Sequence, residues 1–375
     1  MTLCSIFVRL LAVTAVASAG YVTSKRPDSR IRDSAAVQAT GPRRVVDKSD
    51  GASYMRTAQL SKSIVVGVYE SLEGDNQVLR VVGSLDSGDS WNRVGAVLSV
   101  KKDEYSIGNP HILALPSGRL LCAHRSHRRN KDTSTGYATF GITVHQSDDG
   151  GETWKKLADV DSRKRTGVDG IWEPFLRLSP TSNKLQVFWA NEMTTDNQDI
   201  VYQESSDLGQ TWSKPATVAG ADYTARDGMP SVVNVAASSR NSQAFAVFES
   251  GKGPTFVVDY VKTMKDNDDS QWGGRSRIYT PKNNLQAGAP WVINVGGTLV
   301  VSFMTNEDTP EMPNVDGGEL KIVTSKDLGK TWSSPVVVGK KGSHWPGIMA
   351  LNDKEFLVTW SQDGSGMLAQ KFATS

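Results

Sequence analysis

The chain has 375 residues, a net charge of +2 from 42 Lys+Arg against 40 Asp+Glu, and two cysteines. That length allows one large repeat domain or two ordinary ones. The balanced charge gives no electrostatic reason to expect nucleic acid or an anionic membrane as partner, and two cysteines exclude a disulfide scaffold.

Leu3 to Ala19 is apolar, interrupted by Arg9, and ends in Ala17-Ser-Ala19. A small-x-small ending after a short apolar run reads as a secretory signal peptide over 1–19, too short for a membrane span. The protein is therefore expected to be secreted and extracellular. Removal of the signal takes Cys4 with it and leaves Cys122 in an apolar run, as a buried inert thiol. Residues 20–41 are polar, basic and patternless, and are expected to form a disordered leader or propeptide. The folded domain is assigned to 42–375.

From there one turn recurs. Ser84-Leu-Asp86-Ser-Gly88-Asp-Ser90-Trp91 is echoed at Ser147 to Trp154, Ser205 to Trp212 and Ser325 to Trp332. The common pattern is S-x-D-x-G-x-[ST]-W. Trp272, in the long gap between the last two, reads as a fifth, decayed copy. The period is about 60 residues, within reach of one four-stranded propeller blade. Asp and Ser can bond their own turn backbone, Gly supplies a positive φ, and Trp covers the turn.

A second repeat sets a proline at the head of a short apolar strand: Pro110, Pro174, Pro230, Pro290 and Pro346, with Tyr54-Met-Arg56 in the first unit. Each is followed by a second apolar strand. The expected fold is all-β: a six-bladed β-propeller of four-stranded antiparallel blades, closed by pairing N-terminal Arg44-Val-Val46 with the last strands. In that topology the residues before each proline and those ending each second strand share one rim. The Ser-Asp-Gly-Trp turns fall on the opposite rim.

That rim collects carboxylates and aromatics. Two carboxyl groups flanking a glycosidic bond, with aromatic faces to hold sugar, suit glycoside hydrolysis. Glu173, between Trp172 and Pro174, and Glu249, at the end of an apolar strand, are the candidate catalytic pair. Arg56, Asn109, Trp172, Glu192, Asp227, Trp291 and Trp345 are the candidate substrate-binding residues. No metal and no cofactor is expected. A monomer is expected, with an oligosaccharide or polysaccharide as its partner.

The repeated turn resembles the Asp-box of the sialidase superfamily. Ile171-Trp-Glu-Pro-Phe-Leu176, Leu185 to Phe188 ahead of Asn191-Glu192, Asp227-Gly-Met-Pro-Ser231 and Phe248-Glu249 together resemble glycoside hydrolase family 93. The resemblance implies an exo-α-1,5-L-arabinanase that releases arabinobiose from arabinan with retention. It puts Glu173 in the general acid/base position and Glu249 in the nucleophile position, two roles that remain exchangeable. Retention implies carboxyls about 5–5.5 Å apart. Two other readings stay open. A sialidase-like exo-glycosidase is disfavoured because no Arg-x-Pro heads a blade and no Tyr follows Tyr279. A non-catalytic glycan-binding propeller fits if the two carboxyls point apart.

Overall fold

The computed structural model describes residues 36–49, 51–130, 136–167, 170–236, 241–252 and 255–375. The expected signal peptide lies outside them. Among the described residues the only regular elements are β-strands, apart from a short 3-10 turn at Lys282–Asn284.

Six strands pack side by side in sequence: Ser53–Gln59, Tyr105–Ala114, Gly170–Leu178, Arg226–Ala236, Ala287–Val295 and Ser343–Ala350. The sixth also packs against the first, so they close a ring. Each pairs antiparallel with its own second strand, and further strands lie outside that. This is a β-propeller. Apolar runs fill the spaces between strands, with Phe188, Phe248, Trp360 and Phe356 fully buried in one cluster. Fully burying such a side chain stabilises by about 1.5–3 kcal/mol.

The sheet count departs from the expected six. Five hydrogen-bonded sheets form: three of four strands, one of five and one of eight. The eight-stranded sheet arises because Gln198 and Arg226 make one parallel bridge between two strand groups. Its link is short, with Gln198 N–H donating to Ala225 O at 2.9 Å.

The five-stranded sheet contains the closure. Arg44–Asp47 pairs with Gly366–Thr374 as expected. Val37–Ala39 pairs with the same strand, with Val37 opposite Thr374. Strand pairing therefore extends ahead of the expected boundary at 42. Val37 is buried against Phe372, which a composition-based reading of this polar stretch does not reveal.

All four Ser-Asp-Gly-Trp turns share one hydrogen-bond set. Ser84, Ser147, Ser205 and Ser325 Oγ accept the N–H of Gly88, Gly151, Gly209 and Gly329 at 2.7–2.9 Å. The same hydroxyls donate to Asp86, Asp149, Asp207 and Asp327. The four glycines have φ between 81° and 100°. Trp272 does not belong to this set. It lies within the strand Asp268–Tyr279, edge-on to Phe188 at 5.8 Å, and the preceding turn is a tight hairpin at Asn267. Ser84→Ala strands the buried Gly88 N–H and is expected to cost about 1–3 kcal/mol, read from the urea midpoint. An unchanged midpoint contradicts a structural role for the turn.

Candidate active site

Each inner strand breaks register at the same point. The shifts fall at Ser53/Arg56, Gly108/His111, Trp172/Phe175, Gly228/Ser231, Gly288/Trp291 and His344/Gly347. Inside each break one non-glycine residue takes a left-handed backbone: Tyr54, Asn109, Glu173, Met229, Ala289 and Trp345, with φ from 46° to 59°. That conformation costs roughly 1–2 kcal/mol per residue. Proline follows five of them and supplies no N–H to the interrupted ladder. The bulge re-aims a side chain and a backbone N–H toward the rim.

The freed N–H groups meet acceptors. Asn109 N–H donates to Glu70 Oε1 at 2.7 Å, and Ala289 N–H to Glu249 Oε2 at 2.7 Å. Met229 N–H bonds the Glu173 carboxyl. Trp345 N–H meets Met304 Sδ at 3.1 Å. Glycines make room for the carboxyls. A Cβ on Gly228 lies 3.1 Å from Glu249 Oε1, and one on Gly288 lies 2.5 Å from Oε2.

The two expected catalytic carboxyls come together electrostatically. Burial first, then repulsion from Glu249, pushes Glu173 up to about 8. Arg125, the Met229 N–H and Arg226 oppose that rise. Glu173 Oε2 is buried with no hydrogen-bond partner among the described residues. Glu249 is raised by burial, against the Ala289 N–H and Arg226. Arg226 is thus shared by both. It is held by Glu192 Oε1 at 2.6 Å, Thr195 O at 3.0 Å and Gln198 Oε1 at 3.2 Å. The other Glu192 oxygen accepts the Trp172 indole N–H at 2.8 Å.

Of the expected binding residues, Asn109, Trp172, Glu192 and Trp345 join this group. Trp345 packs with Tyr54, Met229, Ala289 and Val315. Arg56 and Trp291 do not reach the mouth. Arg56 is 1% exposed and sandwiched between the Tyr54 and Trp291 rings, at 3.9 and 4.2 Å. It bonds Met55 O and Trp345 O and forms the floor, because both residues lie past the bulge on the channel side. Asp227 is also displaced. Its side chain is fully buried in an ion pair with Arg275, which stacks on Tyr223 and Phe248. Strand alternation turns it away from the mouth, opposite Ser250.

Beneath the floor a cavity of about 400 Å³ runs down the ring, lined by His111, Phe175, Trp291 and Ile348 among others. Burial lowers His111 to about 3, so it stays neutral, stacked on Phe175 at 4.3 Å. Among the described residues no group of three or more His, Cys, Asp or Glu is arranged to hold a metal.

Sequence reasoning missed Arg125, Arg226 and the two glycines beside Glu249. The glycines had a visible signal. Gly-x-Pro occurs at Gly108-Asn-Pro110, Gly228-Met-Pro230 and Gly288-Ala-Pro290. The arginines carried no motif.

No protein-family model and no curated protein matches the chain. Solved structures do. The Penicillium chrysogenum α-L-arabinanase complexed with arabinobiose aligns with TM-score 0.66 at 20% identity, over 86% of this chain and 93% of that one. The GH93 α-L-arabinofuranosidase of Fusarium graminearum with arabinobiose aligns with TM-score 0.67 at 20% identity, over 89% and 97%. The chain shares the fold of these family 93 structures. The NanB sialidase from Streptococcus pneumoniae is less similar, with TM-score 0.58 at 12% identity over 88% and 69%. The expected likeness to family 93 within a sialidase-like propeller is thus found at the level of fold.

Proposed function

We propose that the protein is a secreted, monomeric, retaining glycoside hydrolase that acts from the ends of α-1,5-linked arabinan and releases arabinobiose. The observation that carries this reading is the Glu173–Glu249 pair, with one carboxyl pushed up to about 8 by burial and by the other. A buried carboxyl held protonated beside a second one suits an acid and a nucleophile. The arabinobiose-bound neighbours supply the substrate class. The apolar run Leu3 to Ala19 supports secretion. The ring of six inner strands supports six blades, the eight-stranded sheet being two blades joined by one bridge.

In the first step a Glu249 oxygen forms a bond to the anomeric carbon and the glycosidic C–O bond breaks. The leaving oxygen takes the proton of Glu173. In the second step Glu173, now ionised, removes a proton from water, whose oxygen attacks the anomeric carbon and frees Glu249. Repulsion from Glu249 favours the protonated form of Glu173, which supports the acid/base role for Glu173. The Ala289 N–H and Arg226 favour the ionised form of Glu249.

Incubation with linear α-1,5-arabinan, a sialoside and other plant polysaccharides tests the reading. Arabinobiose from arabinan is expected. Sialic acid release, or sugar binding without any cleavage, contradicts it. Arg226→Met removes a cation that lowers both carboxyls. Both limbs of the pH–rate profile are expected to move to higher pH. Unmoved limbs place Arg226 outside the electrostatics of the pair.

A further inference from the structure

The channel has a second end. The cavity beneath the mouth reaches Gln59, Ala114, Leu178 and Ala350, the last residues of four inner strands. It therefore runs to the end of the ring opposite the carboxylates. Its volume of about 400 Å³ is that of a small-molecule pocket. The two-carboxyl reaction uses only the mouth and leaves this cavity without a task.

Its wall and its floor differ in chemistry. Ile112, Val232, Val292 and Ile348 make an apolar wall. The floor offers donors. Arg56 Nη1 donates to Met55 O and Trp345 O at 3.0 and 3.2 Å. Its Nε and Nη2 are buried and have no partner among the described residues. Those two nitrogens form one edge of the guanidinium, the fork that takes a carboxylate through two parallel bonds. The Tyr54 and Trp291 rings, at 3.9 and 4.2 Å, clamp the group between them, so the fork is fixed before a ligand arrives. No carboxylate bonds this guanidinium among the described residues. Glu70 lies within electrostatic reach and is engaged by the Asn109 N–H at 2.7 Å. His111 adds a further donor. Its Nδ1 accepts the Leu176 N–H at 2.8 Å and burial keeps the ring neutral, so its proton sits on Nε2. Buried polar groups are normally paired, and a buried cation without a counter-charge is costly.

We propose that the far half of the channel, away from Glu173 and Glu249, binds a small carboxylate with an apolar body. The carboxylate meets the Arg56 fork and the His111 Nε2–H, and the body lies against the aliphatic wall. A sugar, with hydroxyls all round, would leave several of them unpaired against that wall.

Calorimetry on the full chain tests this, with benzoate as the probe and melting curves to confirm folding. Benzoate is expected to bind with a Kd at or below about 1 mM. It should bind at least about tenfold more tightly than benzamide, its uncharged isostere, and than chloride. Arg56→Met removes the fork and is expected to weaken benzoate binding at least about tenfold. Ala114→Trp narrows the shaft at its far end, leaves Arg56 in place, and is expected to do the same. No benzoate binding at about 10 mM overturns the proposal. Equal affinity for benzamide overturns it by removing the role of charge, and equal affinity for chloride by removing the role of the apolar body. Unchanged benzoate affinity in folded Arg56→Met or folded Ala114→Trp protein places the ligand elsewhere and also overturns it. Where Arg56→Met fails to fold, the benzamide comparison and Ala114→Trp decide. None of these outcomes involves arabinan, so the proposal is tested independently of the glycosidase reading.

Discussion

Glu173→Gln is expected to lower kcat on arabinan by roughly 10²–10⁴-fold, the usual worth of a positioned general acid. KM should change little, since the amide keeps the shape of the side chain. Wild-type activity is expected to hold through neutrality and fall as pH rises through about 8, where Glu173 gives up its proton. The same substitution has a second readout. A carboxyl raised from 4.5 to about 8 by folding contributes its stability fully below the lower value and loses it as pH rises through the higher one. At about pH 9 the wild type carries a buried negative charge that Gln lacks, so the variant should melt higher there and not at pH near 4. A variant with full activity, or one with no pH-dependent gain in melting temperature, contradicts the acid role. Stability gained by removing a functional group is the expected signature of a site that strains its fold.

Gly288→Ala is expected to cost on the order of 10²-fold in kcat/KM without unfolding the protein, the effect of moving a reacting group by about 1 Å. The new Cβ falls 2.5 Å from Glu249 Oε2, inside any tolerable contact. Gly288 does not have a positive φ, so alanine suits the strand backbone and the carboxyl must move instead. That displacement also breaks the 2.7 Å bond from Ala289 N–H. Kinetics paired with a melting curve separate the outcomes. Full activity in a folded Gly288→Ala protein shows that the position of Glu249 does not matter to the reaction. Both predictions depend on the bulges, where six non-glycine residues keep a costly backbone together around one mouth.

The sequence carried the repeat, and the repeat carried most of the fold. Prolines marked where each inner strand begins, and the Ser-Asp-Gly-Trp turns marked the opposite rim. Together they brought Glu173 and Glu249 to one face without any side-chain geometry. What they could not show is conformation at the proline itself. Asn109 tolerates a left-handed backbone, but nothing in Glu173-Pro174 announces one, since the residue before a proline favours extended backbone. Burial misled in a similar way. Arg56 and Asp227 look like rim groups in sequence, yet strand alternation and aromatic stacking take both beneath the surface. Val37 reads as leader but finds an apolar slot beside Phe372. Arg125 sits within one strand and Arg226 at the head of another, and only the ring sets them beside the carboxyls.

Cleavage of arabinan with Glu173 as acid and Glu249 as nucleophile dictates the anomer of the first product. Proton NMR of the first product released from linear α-1,5-arabinan tests it most directly. Arabinobiose is expected to appear first as the α-anomer and only later to mutarotate. Initial β-anomer, a ladder of internal fragments, or no release at all contradicts it.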